Sequence, residues 1–343
     1  MDRTFFLGLA AAGLRMPIGT HLVLQEHPDP AAVVLDGRGL GRVVEEAARR
    51  FRTPLALPLM DLKLEKESLL LARGVAPAAV DTHHFTELPA ARADFRLTAR
   101  MAAACGGIRY IATETDLVPV GMAIGPFSLM TKLLADPISP VFLAGTGATA
   151  ADEPEVALIE AALEIAFQTI QQYLDAQMTA GARAVILCEP AANKVYFSPN
   201  QLAASYDIFD RYVMKYNLAL RDQLAARGVD LIFHDCGELL DGMVRRFARL
   251  DPAMLSLGSS RRLWEDAALL PKNIVLYGNL PTKQFYSDEL LPVEKVRQLA
   301  ADLARHMSEA DHPFILGSEC DVLSVPGREA AIKQKVAAFL DAA

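Results

Sequence analysis

The sequence predicts an α/β protein in which one parallel sheet closes into a single (β/α)8 barrel of the TIM type. Short apolar runs alternate along the chain with longer segments of helical periodicity, and no linker-like or low-complexity tract divides the 343 residues. Uninterrupted apolar strands separated by amphipathic helices are typical of a parallel sheet covered by helices. Eight such units make a barrel in one domain of this length. We therefore expect one domain over residues 1–343, with residues 1–52 as an N-terminal helical extension packed on the barrel.

The individual elements are assigned from periodicity. A helical segment at residues 40–51, rich in Ala, Arg and Glu, precedes the predicted strand at 55–59. Strands are predicted at residues 55–59, 118–124, 184–187, 230–233, 254–257, 274–277 and 314–316, and either 18–24 or 108–112 supplies the eighth. Helical patterns follow at residues 155–180, 200–227, 238–249, 292–308 and 327–342. A doubly wound open sheet is the alternative, but no Gly-x-Gly-x-x-Gly follows an early strand.

Composition narrows the class of function. Apolar residues make up 52% of the chain and charged residues 22%, which suits a large core. The net charge of −8 argues against a nucleic-acid partner, because phosphate binding needs clustered cations. No apolar stretch reaches the roughly 20 residues of a membrane span. Four cysteines are too few for a disulfide scaffold. Residues 5–12 resemble a signal-peptide core, but Asp2 cancels the charge of Arg3. We expect a cytoplasmic protein.

The segment His234-Asp235-Cys236 and the distant Cys320 form a candidate metal site. His234 and Cys236 end an apolar run, and side chains two apart on a strand point the same way. Cys320 ends a second apolar run. Two thiolates and one imidazole balance the charge of Zn²⁺, and three protein ligands with one open position are the pattern of catalytic zinc. A thiol that binds there would lose its proton. Spacing alone leaves a packing role open, because isolated cysteines are often small buried residues.

Several ordered motifs resemble the uroporphyrinogen decarboxylase superfamily, and within it the cobalamin-dependent methyltransferases. The motifs are His234-Asp235-Cys236-Gly237, Tyr277-Gly278-Asn279-Leu280-Pro281, the segment 315–322, and upstream 125–127, 180–182, 189–192 and 197–199, with weaker matches at 15–17 and at Asp61 and Glu65. The resemblance spans nearly the whole chain. It implies a zinc enzyme that moves a methyl group from a methylated corrinoid, carried by a separate corrinoid protein, to a small thiol such as coenzyme M.

Two rivals remain at this point. One is methyl transfer to or from tetrahydrofolate on the same fold, which would depend on carboxylates or amides around a pterin more than on zinc. The other is a non-catalytic protein that binds corrinoid proteins or a thiol. The decarboxylase activity of the superfamily is disfavoured, because its arginine-rich N-terminal signature is not visible at residues 15–25 and because its chemistry needs no metal.

Other candidate site residues follow predicted strands. Glu189, Ser256 and Asn279 lie at or just beyond strand ends, where a barrel places its active site. Glu189 is expected to orient the acceptor or support a metal ligand, with a structural ion pair as the alternative. Asn279 offers a donor and an acceptor to a ligand, with a turn role as the alternative.

Three further expectations concern neighbouring residues. Glu319 stands where superfamily members more often carry a small residue, so it is a possible fourth ligand or a determinant of thiol specificity. Cys188 should point away from Glu189 and pack in the core. Asp61 and Glu65 are expected to be surface carboxylates at the head of a helix.

Overall fold

The computed structural model describes residues 3–92 and 94–341 and confirms the (β/α)8 barrel. Eight parallel strands lie in the order β1-β8-β7-β6-β5-β4-β3-β2. The strands are β1 (Arg15–Ile18), β2 (Leu55–Ala56), β3 (Val118–Ile124), β4 (Ala184–Cys188), β5 (Asp230–Asp235), β6 (Met254–Leu257), β7 (Val275–Leu280) and β8 (Phe314–Asp321). The predicted strands from 118 onward therefore lie at the predicted places, and residues 55–59 form a shorter strand than expected.

Helices flank the strands on the outside of the sheet and cap its lower end. They are α1 (Arg3–Ala11), α2 (Thr20–Leu24), α3 (Pro30–Val33), α4 (Gly37–Arg50), α5 (Leu64–Ala72), α6 (Ala99–Glu114), α7 (Pro126–Leu133), α8 (Ile138–Gly145), α9 (Pro154–Thr179), α10 (Pro199–Ala204), α11 (Asp207–Phe209), α12 (Lys215–Ala226), α13 (Asp241–Ala248), α14 (Leu263–Asp266), α15 (Val293–Glu309) and α16 (Glu329–Leu340). Within the described residues, no helix combines the length and apolarity that crossing a membrane would need.

The eighth strand is not where either candidate placed it. Residues 20–24 form α2, and residues 108–112 lie inside α6. The strand is Arg15–Ile18, in which an arginine and a proline leave no continuous apolar run to reveal it. The predicted N-terminal extension thus also contributes a barrel strand. β1 pairs with β8, and no backbone ladder joins β1 to β2 in the described part of the chain, which suits a strand that contains proline.

Side chains hold the seam between β1 and β2. The Thr20 hydroxyl donates to the carbonyl oxygen of Leu57 over 2.6 Å. The Thr53 hydroxyl lies 3.1 Å from the Met16 sulfur. Both contacts are buried. They therefore replace part of the missing ladder and close the barrel.

Helix α1 closes the end of the barrel at which the strands begin. Its Phe6 is fully buried among inward-facing side chains of the strands, including Met16, Met254 and Ile315. The apolar run at residues 5–12 that resembles a signal-peptide core is mostly this helix. Its hydrophobicity is accounted for by packing against the barrel interior.

The two-residue period of the strands decides which side chains enter the barrel. Cys188 of β4, Ile232 of β5, Met254 of β6 and Tyr277 of β7 all belong to the interior cluster. Side chains two positions further along β5, β6 and β7 therefore also face inward, nearer the mouth formed by the carboxyl ends of the strands. Those residues are His234, Ser256 and Asn279.

Candidate metal centre

Three predicted ligands converge at the carboxyl ends of β5 and β8. His234 lies near the end of β5, Cys236 directly follows that strand, and Cys320 lies near the end of β8. One ligand atom from each residue lies within 4.8 Å of the others. No other group of three or more His, Cys, Asp or Glu side chains in the described residues is arranged to hold a metal. We call these three residues the metal triad.

The geometry of the metal triad suits zinc. The two thiol sulfurs are 3.9 Å apart. Two sulfurs that share a tetrahedral zinc at about 2.3 Å each lie about 3.8 Å apart. The Nε2 atom of His234 is buried and lacks a hydrogen-bond partner in the described structure. A buried nitrogen without a partner is costly, and a metal ion at the triad would satisfy it. The donor set therefore fits the metal that the sequence suggested.

A contact at Nδ1, the second ring nitrogen of His234, orients the imidazole. Its Nδ1 atom lies 2.8 Å from the hydroxyl oxygen of Ser256. His234 and Ser256 are also direct partners in the register of β5 and β6. If Nδ1 carries the proton and donates a hydrogen bond to the Ser256 hydroxyl oxygen, Nε2 keeps the free lone pair that a metal requires. Ser256, placed at a strand end by the sequence, is thus a support of the metal triad.

The two thiols are electrostatically coupled. The contact with Cys320, together with burial, raises the pKa of Cys236 to about 12. The hydrogen bond from Cys236 lowers the pKa of Cys320. The Cys236 thiol thus donates to the Cys320 sulfur, and Cys320 is the thiol of the pair that ionises more readily. A divalent cation would displace the protons of both thiols.

Two residues beside the metal triad were missed by the sequence analysis. The Met60 sulfur lies 3.6 Å from the Cys320 sulfur. The Lys283 ammonium faces Cys236. Burial alone would lower the pKa of Lys283, but its interactions with Cys236, Glu319 and Cys320 outweigh burial and raise it. Met60 follows β2 and Lys283 follows β7, so strand ends were a usable signal. A lone methionine or lysine carries no motif, however.

Both carboxylate oxygens of Glu319 are engaged in hydrogen bonds beside the metal triad. Its Oε2 atom accepts hydrogen bonds from the Ser259 hydroxyl at 2.6 Å and the Ser259 amide at 3.3 Å. Its Oε1 atom accepts from the Lys283 amide at 3.3 Å. The carboxylate therefore joins the loops after β6 and β7 beside Cys320. Its contacts are those of a structural residue and do not support the expected fourth-ligand role.

Asn279 also organises the loop after β6. Its Nδ2 atom donates to the carbonyl oxygens of Gly258 at 2.8 Å and Arg261 at 2.9 Å. That loop carries Ser259, which holds Glu319 next to Cys320. Asn279 is therefore connected to the metal triad through a chain of hydrogen bonds and has no contact with a triad side chain among those observed.

Glu189 lies on the opposite side of the barrel wall from the metal triad. Cys188 packs in the core, as predicted, but on the interior side of the barrel, so the period of the strand turns Glu189 outward. Its carboxylate accepts from the amides of Phe127 at 3.1 Å and Ser128 at 2.8 Å, and from Asn217 Nδ2 at 2.9 Å. The side chain is fully buried. These contacts favour a structural role over the orienting role, although the partners are helix amides and an asparagine instead of a basic residue.

The contacts of Glu189 also explain the Gly-Pro-Phe motif. A Cβ atom at Gly125 would lie 2.0 Å from the carboxyl carbon of Glu189. Only glycine leaves room for the carboxylate at the first turn of α7, where negative charge is favourable. The Gly-Pro-Phe motif therefore lets the start of α7, directly after β3, pack against Glu189 at the end of β4.

The prediction that Glu65 is a surface carboxylate is wrong. The side chain is fully buried and does not lie on the surface. Its Oε1 atom accepts from the Ile124 amide at 3.1 Å, and its Oε2 atom has no partner in the described structure. Burial raises the pKa of Glu65 to about 8. Asp61 is half-buried and pairs with Arg100. The periodicity of α5 could not show that its first turn points into the protein.

Comparisons with known proteins agree with this geometry. The model of the family described as uroporphyrinogen decarboxylase (URO-D) matches residues 75–341. A solved structure described as a methyltransferase from Methanosarcina mazei superposes with a TM-score of 0.65 at 18% sequence identity. The superposition covers 95% of this chain and 91% of the methyltransferase chain. At that identity the likeness establishes the fold. No curated protein matches the sequence significantly.

Proposed function

Because the chain belongs to the uroporphyrinogen decarboxylase (URO-D) family, we propose that it is a zinc-dependent methyltransferase that moves a methyl group from a methylated corrinoid protein to a small thiol. The observation that carries this proposal is the metal triad, whose three ligand atoms lie within 4.8 Å of one another at the barrel mouth. The fold shared with a methyltransferase supports it.

The triad residues define the chemistry that a metal would supply. His234, Cys236 and Cys320 would hold zinc with no net charge and leave room for one more ligand. Bound there, zinc lowers the pKa of an acceptor thiol, so that the sulfur is a thiolate at neutral pH. The positive charge of Lys283 beside Cys236 offsets the negative charge that the substrate thiolate adds.

The transfer itself is a nucleophilic displacement between two substrates. The acceptor sulfur attacks the methyl carbon, a sulfur–carbon bond forms, and the cobalt–carbon bond breaks. The electron pair of the broken bond stays on the corrinoid, and the proton of the thiol goes to solvent. The chain contributes orientation of the sulfur towards the open mouth of the barrel.

A protein-bound donor at the barrel mouth would contact the segments that follow the strands. Exposed apolar side chains lie on the segments that follow β3, β4 and β8, namely Phe142, Val195 and Leu323. Exposed apolar groups beside the carboxyl ends of the strands would support contact with a partner protein. A corrinoid that enters from this side would meet the metal triad without opening the barrel.

Arg15 supports the choice against decarboxylation. Its guanidinium donates to the carbonyl oxygen of Phe339 in the C-terminal helix α16. Arg15 also begins β1, at the end of the barrel opposite the mouth. It is therefore not placed to bind the carboxylates of a porphyrin at the metal triad.

The test combines metal analysis with methyl transfer. The purified protein is expected to hold about one zinc per chain and to methylate a member of a thiol panel from methylcobalamin. Cys236→Ser and Cys320→Ser should each lose most of the zinc and the transfer. Cys105→Ser is the matched control, because Cys105 is a free cysteine on α6, outside the triad, and it should keep both.

The rival functions give different results in the same assay. Transfer that proceeds with tetrahydrofolate, without zinc, would favour the pterin enzyme. Zinc bound without turnover of any thiol, either with free methylcobalamin or with a methylated corrinoid protein, would favour the non-catalytic protein. Full zinc content in both cysteine variants would end the proposal of a triad site.

A further inference from the structure

Met60 lies against the metal triad from the loop after β2. We propose that its thioether sulfur is the fourth ligand of the resting metal and that the acceptor thiol displaces it. This inference rests on the proposed zinc site. It adds a ligand from a part of the chain that no motif indicated.

The sulfur distances support the assignment. The Met60 sulfur is 3.6 Å from the Cys320 sulfur, and the Cys320 sulfur is 3.9 Å from that of Cys236. Both separations are close to the roughly 3.8 Å expected between two sulfurs on one tetrahedral zinc. Met60 thus stands beside Cys320 at the separation of a neighbouring vertex of the coordination tetrahedron.

The loop that carries Met60 is held on both sides. Before it, the Leu57 carbonyl oxygen accepts the Thr20 hydroxyl hydrogen bond at 2.6 Å. After it, Asp61 pairs with Arg100 of α6 and accepts from the Lys63 amide at 3.2 Å. Met60 itself is half-buried. Its backbone is therefore fixed at the barrel mouth, while its flexible side chain can move aside.

Thioether chemistry suits a displaceable ligand. A methionine sulfur is uncharged and soft, and soft ligands suit a zinc site that already holds two thiolates. A resting site of two thiolates, one imidazole and one thioether therefore stays neutral. A substrate thiolate is the stronger donor because it carries full negative charge. It would replace the thioether, and no carboxylate would have to leave.

The other side-chain candidate is already engaged. Both carboxylate oxygens of Glu319 are bound to Ser259 and to the Lys283 amide. Among the described residues, the possible ligand group of His, Cys, Asp and Glu contains the triad alone. Water is the remaining rival for the fourth position.

Selenium labelling tests the ligand directly. Protein grown with selenomethionine carries selenium at its 11 methionines, but only a selenium bonded to zinc contributes to the first shell of zinc X-ray absorption. We expect one zinc–selenium contact in the resting zinc protein. It should disappear when a saturating thiol is added and be replaced by a sulfur. A resting shell without selenium would overturn the inference.

A pair of variants identifies which methionine is seen. Met60→Leu keeps a similar volume and should lose the zinc–selenium contact while it retains zinc. Met122→Leu is the matched control, because Met122 lies in the barrel interior, and it should keep the contact. A contact that survives in Met60→Leu would also refute the assignment. Failure of the proposed zinc site would instead appear as absence of zinc from the unmodified protein.

Discussion

His234 and Ser256 are joined twice, by strand register and by a 2.8 Å contact between the imidazole Nδ1 and the serine hydroxyl. The contact can fix the tautomer of His234 and directs Nε2 towards the two thiols. The second hydrogen bond of a ligand histidine commonly controls metal affinity. Ser256 is therefore the residue outside the triad whose change should act most directly on the metal.

Ser256→Ala should weaken zinc binding by about 10- to 100-fold, because the imidazole loses the group that orients it. Zinc affinity is measured by competition with a chromophoric chelator. Ser128→Ala is the control, since Ser128 is a similarly buried serine that contacts the Ala191 amide and no triad residue. Equal zinc affinity in the two variants would argue against the role of Ser256.

Asn279→Ala should keep zinc but reduce methyl transfer, by up to roughly 10²-fold, because the loop after β6 no longer holds Glu319 beside Cys320. Asn217→Ala also removes two side-chain hydrogen bonds from a buried asparagine, but its partners are Glu189 and the Val213 carbonyl oxygen. Rate and melting temperature are measured on the same samples. A loss of melting temperature alone in both variants would assign Asn279 a purely structural role.

Glu189→Gln should destabilise the fold by about 1–3 kcal/mol, because an amide cannot accept hydrogen bonds from both helix amides at once. Zinc content and turnover per folded molecule should stay unchanged. The measurement is chemical denaturation together with metal analysis. Glu289→Gln, at an exposed position, controls for loss of charge. It should change neither the free energy of unfolding nor the zinc content and turnover. A large loss of turnover without loss of stability would restore the orienting role that the sequence suggested.

Glu65 should make stability depend on pH. Burial raises its pKa from 4.5 to about 8, so the folded state binds more protons than the unfolded state between these values. Stability from this group is complete below about pH 4.5 and is lost as pH rises to about 8, with a slope of at most about 1.4 kcal/mol per pH unit.

Glu65→Gln mimics the protonated carboxyl and should remove that slope. The difference in denaturation midpoint between wild type and variant, measured from pH 4 to pH 9, isolates this group from the metal ligands, whose titration is common to both proteins. A constant difference across this range would show that Glu65 does not titrate between its ordinary pKa and the raised one.

Local pattern was sufficient for much of the fold and for the metal triad. The strands from residue 118 onward contain apolar runs that alternate with helical segments, so this pattern identified them. β1 contains an arginine and a proline and has no continuous apolar run, so the same signal failed there. His234 and Cys236 were predictable as a pair because two residues on one strand share a face, and Cys320 because it ends another strand.

What the sequence by itself determined is the alternation of strands and helices from residue 118 onward, the barrel class, and the three ligand types at strand ends. Closure of the sheet decided the rest, because it sets which face of each strand turns inward and which distant loops meet. That is why Glu189 turned towards α7 and Glu65 became buried. It is also why Met60 met Cys320 across the barrel mouth, since a contact between residues so far apart in the chain depends on three-dimensional packing that no local periodicity encodes.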